Sequence, residues 1–137
     1  MFKSFMVLVG LAVLAGPAQA QTALKSTRIL QTTTSDAGTR ISYPPTDSAE
    51  VTALMIEVPP GAEGTLHRHE VPVFIYVLEG TLDVDTEGVG TRSHTAGEGF
   101  LEAQNANHTV KNRGTKVARA LIVVAGIQGR PVSLKPS

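Results

Sequence analysis

From Val51 onward, short runs rich in β-branched and aromatic residues alternate with turn clusters, and that alternation leaves few folds open to the chain. The runs are Val51 to Val58, Thr65 to His69, Val73 to Glu79, Thr81 to Asp85, Phe100 to Glu102, His108 to Asn112 and Val117 to Ala125. Between them stand Pro59-Pro60-Gly61, Glu79-Gly80, Gly88-Val89-Gly90, Gly97-Glu98-Gly99 and Arg113-Gly114, which supply the fixed or positive φ that tight reversals need. No helical periodicity is present beyond the first twenty residues. Many short strands at close spacing predict an all-β sandwich or barrel. Residues 21–50, rich in Thr, Ser and Gln and broken by Pro44-Pro45, read as a leading strand or two with loops.

The first twenty residues follow other rules. Lys3 gives a positive start, Phe5 to Ala15 form an apolar stretch, and Ala18-Gln19-Ala20 fits the small-x-small pattern of signal cleavage. The apolar stretch is shorter than the roughly 20 residues that span a bilayer. We expect cleavage after Ala20, no membrane span afterwards, and a mature chain free in the periplasm or medium. Residues 21–137 then make one domain, since 137 residues are too few for two of ordinary size.

Twelve basic and twelve acidic residues balance without a basic run, so no electrostatic footprint for nucleic acid exists. The chain has no cysteine, which excludes disulfides, a lipid-modified cysteine and thiolate ligands. A bound metal would be held by His, carboxylate or amide groups, a donor set suited to Fe, Mn, Ni, Cu or Zn.

Strand parity locates the candidate donors. In Thr65-Leu66-His67-Arg68-His69 the two histidines share one side and Arg68 takes the other, which we read as solvent. In His108-Thr109-Val110-Lys111-Asn112, Lys111 marks the outside and His108 and Val110 the inside. Arg119 likewise leaves Ala118, Ala120, Ile122 and Val124 inside, with room for a pocket beside the alanines. Val73, Ile75 and Val77 point inward, and Phe74, Tyr76 and Leu78 share the other face. Buried imidazoles need partners. Two on alternate residues of one strand, joined by a third from another, can reach one ion. Taken alone, the His67-x-His69 pair is met more often as satisfied core or surface histidines.

The intervals are more specific. Gly61, five residues, His67, one residue, His69, three residues, Val73, six residues and Gly80 resemble the first cupin motif. Gly97, five residues, Ala103, Gln104, Asn105, two residues, His108, three residues and Asn112 resemble the second. The resemblance covers residues 61–112 directly. It implies a jelly-roll barrel with a divalent transition metal on His67, His69 and His108, an open coordination position, and dioxygenase-like chemistry on a small organic molecule. A non-catalytic envelope module that captures a metal or small ligand is the alternative. Val73 stands where the family usually has a glutamate ligand, and Ala103 and Asn105 replace its Pro and Gly. Glu102 is the candidate substitute, as fourth ligand and as the only catalytic carboxylate in view; otherwise it is a solvated rim residue. Glu70 and Gln104 are weaker candidates. His94 reads as surface, and Lys111, Arg113 and Lys116 as a solvated basic edge. A homodimer through sheet edges is a further expectation.

Overall fold

A computed structural model of the chain describes residues 23–137; the segment read as an export signal lies outside the described residues. The strands are β1 (Ala49–Val58), β2 (Val73–Glu79), β3 (Thr81–Thr86), β4 (Gly90–Thr95), β5 (Gly99–Leu101), β6 (His108–Lys111) and β7 (Ala118–Ile127). They form two antiparallel sheets, one in the order β1-β7-β2-β5 and one in the order β4-β3-β6. The all-β expectation holds among the described residues. None of them lies in a helix long and apolar enough to cross a membrane.

Strand β7 organises the larger sheet, pairing along its whole length with β1, from Ala49 opposite Ile127 to Val58 opposite Ala118, and on its other side with β2. Alternation decides what each strand buries. Val73, Ile75 and Val77 of β2 are each at most 1% exposed, Phe74 and Tyr76 on the opposite face are half-buried, and Leu78 is exposed. Ala118, Ala120 and Val124 of β7 point inward, as Arg119 on the outer face predicted. Across the core, β3 contributes Leu82 and Val84, and β6 contributes Val110. Full burial of each such Val, Leu or Ile is worth roughly 1.5–3 kcal/mol before the entropy of ordering is subtracted.

The β2–β3 reversal turns on Gly80, whose φ is +73°; a Cβ there would lie 2.9 Å from the Val117 carbonyl oxygen, so both backbone and space require glycine. Asn112 closes β6 differently. Its side-chain amide donates to the carbonyls of Val58 and Lys116 while its Oδ1 accepts from the Gly114 amide.

Several boundaries depart from the sequence reading. Thr65 to His69 is not a regular strand: His67 bridges His108, Arg68 bridges Leu134 and His69 bridges Gln104, so successive residues change partner and no ladder propagates. Arg68 is consequently half-buried rather than solvent-facing, with a buried Nε that has no hydrogen-bond partner. Glu102 and Asn112 fall just beyond β5 and β6, and β7 continues to Ile127. The leading strand expected before β1 reduces to a Thr34–Arg40 bridge, because this segment closes on itself through Ser35 to Thr39 and Ile41 to Thr33 hydrogen bonds.

Strand β4 was unforeseen. It is an edge strand paired only to β3, and Gly-Thr-Arg-Ser-His-Thr carries no apolar alternation. Its His94 is not a surface residue: the ring stacks on Phe100 with centroids 3.5 Å apart, and Nε2 lies 3.2 Å from Oδ2 of the buried Asp36. Nor are Lys111 and Arg113 simply solvated. Lys111 pairs with Glu63 and Asp85, and Arg113 with Asp83 and Asp85.

Candidate metal centre

His67 and His108 face each other across the gap between the 62–69 segment and β6, exchanging both backbone hydrogen bonds at 3.0 and 2.8 Å. This pairing draws their rings to a centroid separation of 4.6 Å. His69, two residues on, brings its ring to 4.7 Å from His67 and 5.1 Å from His108. Glu102 arrives from the end of β5, where its amide donates to the Val73 carbonyl. One donor atom from each of these four residues lies within 4.8 Å of every other.

The protons follow from the backbone. Nδ1 of His67 is 2.7 Å from the Thr65 carbonyl, Nδ1 of His69 is 2.7 Å from that of Val132, and Nδ1 of His108 is 2.9 Å from that of Ala106. A carbonyl only accepts, so each Nδ1 carries the hydrogen, and each neutral ring turns an Nε2 lone pair toward the others. Nε2 of His67 stands 3.1 Å from Nε2 of His69, and Oε2 of Glu102 stands 3.1 Å from His69 Nε2 and 3.5 Å from His108 Nε2. At 3.5 Å the last contact is electrostatic rather than a hydrogen bond, and His108 Nε2 is buried without a partner.

Burial pushes the Glu102 carboxyl upward, but His108 and His69 outweigh it and hold it at about 2, so it is ionised. Burial holds His67 below its ordinary value. Burial also opposes charge on His108, yet the adjacent Glu102 leaves its pKa raised. Four converging acceptors repel one another unless a cation lies among them. One proton relieves a single contact; a divalent ion relieves all four. The donor set therefore fits a borderline divalent metal, with backbone carbonyls orienting every imidazole.

Glu102 is the residue that the sequence left most open. It is 3% exposed and no rim residue. Val73, at the family's glutamate position, is core, and Asn105, at the family's glycine position, adopts φ +58°, a region asparagine tolerates better than most residues. Glu70 and Gln104 do not reach the cluster. Glu70 is exposed and pairs with Arg68 and Arg130, and the Gln104 amide binds Ser42 and the Glu70 carbonyl. The Thr65, Ala106 and Val132 carbonyls escaped sequence reasoning. Two of them lie two residues before a histidine, a local signal, while Val132 belongs to the C-terminal tail and gave none.

Beside the cluster opens a cavity of about 360 Å³, whose lining includes His67, His69 and Glu102 together with Leu54, Ile56 and Ile122. The pocket foreseen from β7 exists, but Ile122 lines it; Ala118 and Ala120 are packed into the core.

The cupin-domain family model matches residues 54–124, a span that includes all four clustered side chains. The chain is a cupin. No curated protein gives a significant match to it. Among solved structures, the cupin is similar to the DMSP lyase DddQ from Ruegeria pomeroyi, at 20% identity and TM-score 0.55 over 67% of this chain and 46% of that one. The oxalate decarboxylase of Lactobacillus farciminis aligns at 21% identity and TM-score 0.54 over 62% of this chain and 26% of that one. An RmlC-like cupin from Shewanella frigidimarina aligns at 26% identity and TM-score 0.50, over 58% and 69%. The matched part is thus less than two thirds of the lyase and decarboxylase chains, and at these identities the likeness to those two concerns the fold.

Proposed function

We propose that this cupin is an exported, metal-dependent enzyme, a dioxygenase-like oxidoreductase acting on a small organic molecule, with one divalent ion on His67, His69, His108 and Glu102. The observation that carries the reading is the convergence of four acceptor atoms beside an apolar cavity. Such an ion supplies Lewis-acid or one-electron chemistry at positions its protein ligands leave open. The chain's own residues hold the imidazoles in one tautomer, place a single negative charge against them, and shield the site from water with aliphatic walls.

Elemental analysis of protein purified without added metal tests the site. One equivalent of Fe, Mn, Ni, Cu or Zn is expected, and full occupancy surviving in His67→Ala, His69→Ala and His108→Ala would overturn it. Oxygen consumption with catechols, flavonoids and diketones, confined to the metal-loaded form, tests the reaction. One observation favours the alternative of a capture module: the other carboxylates lining the cavity, Glu57 and Glu63, are ion-paired to Arg119 and Lys111, and Glu102 is itself a ligand, so no separate base is in place. Submicromolar metal affinity without turnover would establish that reading.

Export rests on Lys3, the apolar stretch to Ala15 and Ala18-Gln19-Ala20. N-terminal sequencing of the envelope fraction should begin at Gln21. An intact Met1 terminus in the cytoplasm would overturn it.

A further inference from the structure

We propose that the cavity beside the histidines admits a neutral, largely apolar molecule, and that its walls, apart from the metal position, discriminate against free carboxylates, an inference that rests on reading the site as one for small molecules. Its walls are aliphatic where they meet the four-residue cluster: Leu54 and Ile56 from β1, Val110 from β6, Ile122 from β7 and Val132 from the C-terminal tail. Among the described lining residues there is no Lys or Arg.

The nearest cations are committed elsewhere. Nζ of Lys111 lies 2.9 Å from carboxylate oxygens of both Glu63 and Asp85, and Nε of Arg119 donates to Glu57 at 2.8 Å. The carboxylates in the lining are Glu57 and Glu63, each already paired with one of those cations, and Glu102 deeper in the wall. Away from the metal position, a carboxylate entering there would lose its water and find the nearby Lys and Arg side chains already paired and the walls aliphatic. A neutral hydrocarbon body gains contact with the aliphatic walls at no such cost. The volume of about 360 Å³ lies at the low end for small-molecule sites and suits a compact molecule of roughly one or two rings.

Two probes of nearly the same shape separate the cases, 4-tert-butylphenol and 4-tert-butylbenzoate, titrated calorimetrically into the purified full chain after removal of metal by chelator. The phenol is expected to bind at least tenfold tighter. Equal or tighter binding of the benzoate, or no binding of either at about 1 mM, would overturn the proposal. Leu54→Lys and Val132→Lys each place an ammonium group at the cavity from a different segment, and circular dichroism confirms folding. Either variant is expected to erase or reverse the preference, and an unchanged preference in both would also overturn it. Metal content is read separately by elemental analysis. Protein without metal that still prefers the phenol sinks the metal reading alone, and metal-replete protein without the preference sinks this one alone.

Discussion

Glu102 lies directly across the β2–β5 pairing from Val73: Phe74 is opposite Leu101, and the next rung is the Glu102 amide donating 3.1 Å to the Val73 carbonyl. The carboxylate that the cupin pattern carries on β2 is thus delivered from the neighbouring strand, one lateral step away. Glu102→Gln keeps the shape and removes the charge, and we expect metal affinity to fall by about tenfold or more. Adding Val73→Glu to that variant should restore part of the loss. Zinc titration by competition with a chromophoric chelator measures both, and an unchanged affinity in Glu102→Gln would leave Glu102 outside the ligand set.

Metal and protons compete for the same nitrogens. Burial disfavours charge on His108, but Glu102 more than offsets it and raises its pKa above the ordinary 6.5. His108 therefore takes a proton before His67 as pH falls, and affinity should begin to drop above 6.5 and decline steeply below it. In the metal-free protein the sign is opposite: protonated His108 stabilises the fold below 6.5, and that contribution is lost as pH rises through its raised folded value. Titrations between about pH 8 and pH 5 check the first statement, and a flat profile would exclude imidazole ligation.

Asp85 accepts from Arg113 and Thr91 and pairs with Lys111, and these partners hold its carboxyl well below the ordinary 3.8. A depressed folded value stabilises above the unfolded one and is lost as pH falls. Asp85→Asn should lower Tm at neutral pH, by less in high salt, and the gap to the parent should narrow once pH falls below about 4. Thermal melts across that range decide it. A gap that persists at low pH would assign the effect to packing.

His94→Ala removes the ring stacked on Phe100 and leaves the Asp36 side chain, 4% exposed, without its His94 contact. Its Oδ1 already has no partner. A loss of about 1–3 kcal/mol is expected from denaturant unfolding, with metal content unchanged. A neutral substitution would show that this contact does not anchor the N-terminal segment.

Turn chemistry and period-2 alternation made most of the barrel legible, because Gly80, Gly97 and the inward Val73, Ile75 and Val77 are local signals read one strand at a time. That the three histidines lie together was legible from their intervals, although Thr65 to His69 is not the regular strand that the alternation assumed. What escaped depended on partners distant in sequence. β4 is polar on both faces and gains strand form only from β3; His94 looks exposed until Asp36, 58 residues earlier, is folded against it. Glu102 could be suspected but not assigned, since its burial depends on β5 lying beside β2.

The Val132 carbonyl that fixes His69 comes from the tail after β7, which Leu134 and Ser137 fasten to Arg68 and Asn107. The cluster is therefore not self-contained within the strands, since one of its orienting carbonyls lies beyond β7. Formation of the sheets and completion of the cluster are then separable, because one orienting group is supplied only when the segment beyond β7 docks. A chain shortened before Pro131 should still build its sheets, measured by circular dichroism, yet hold zinc about tenfold or more weakly.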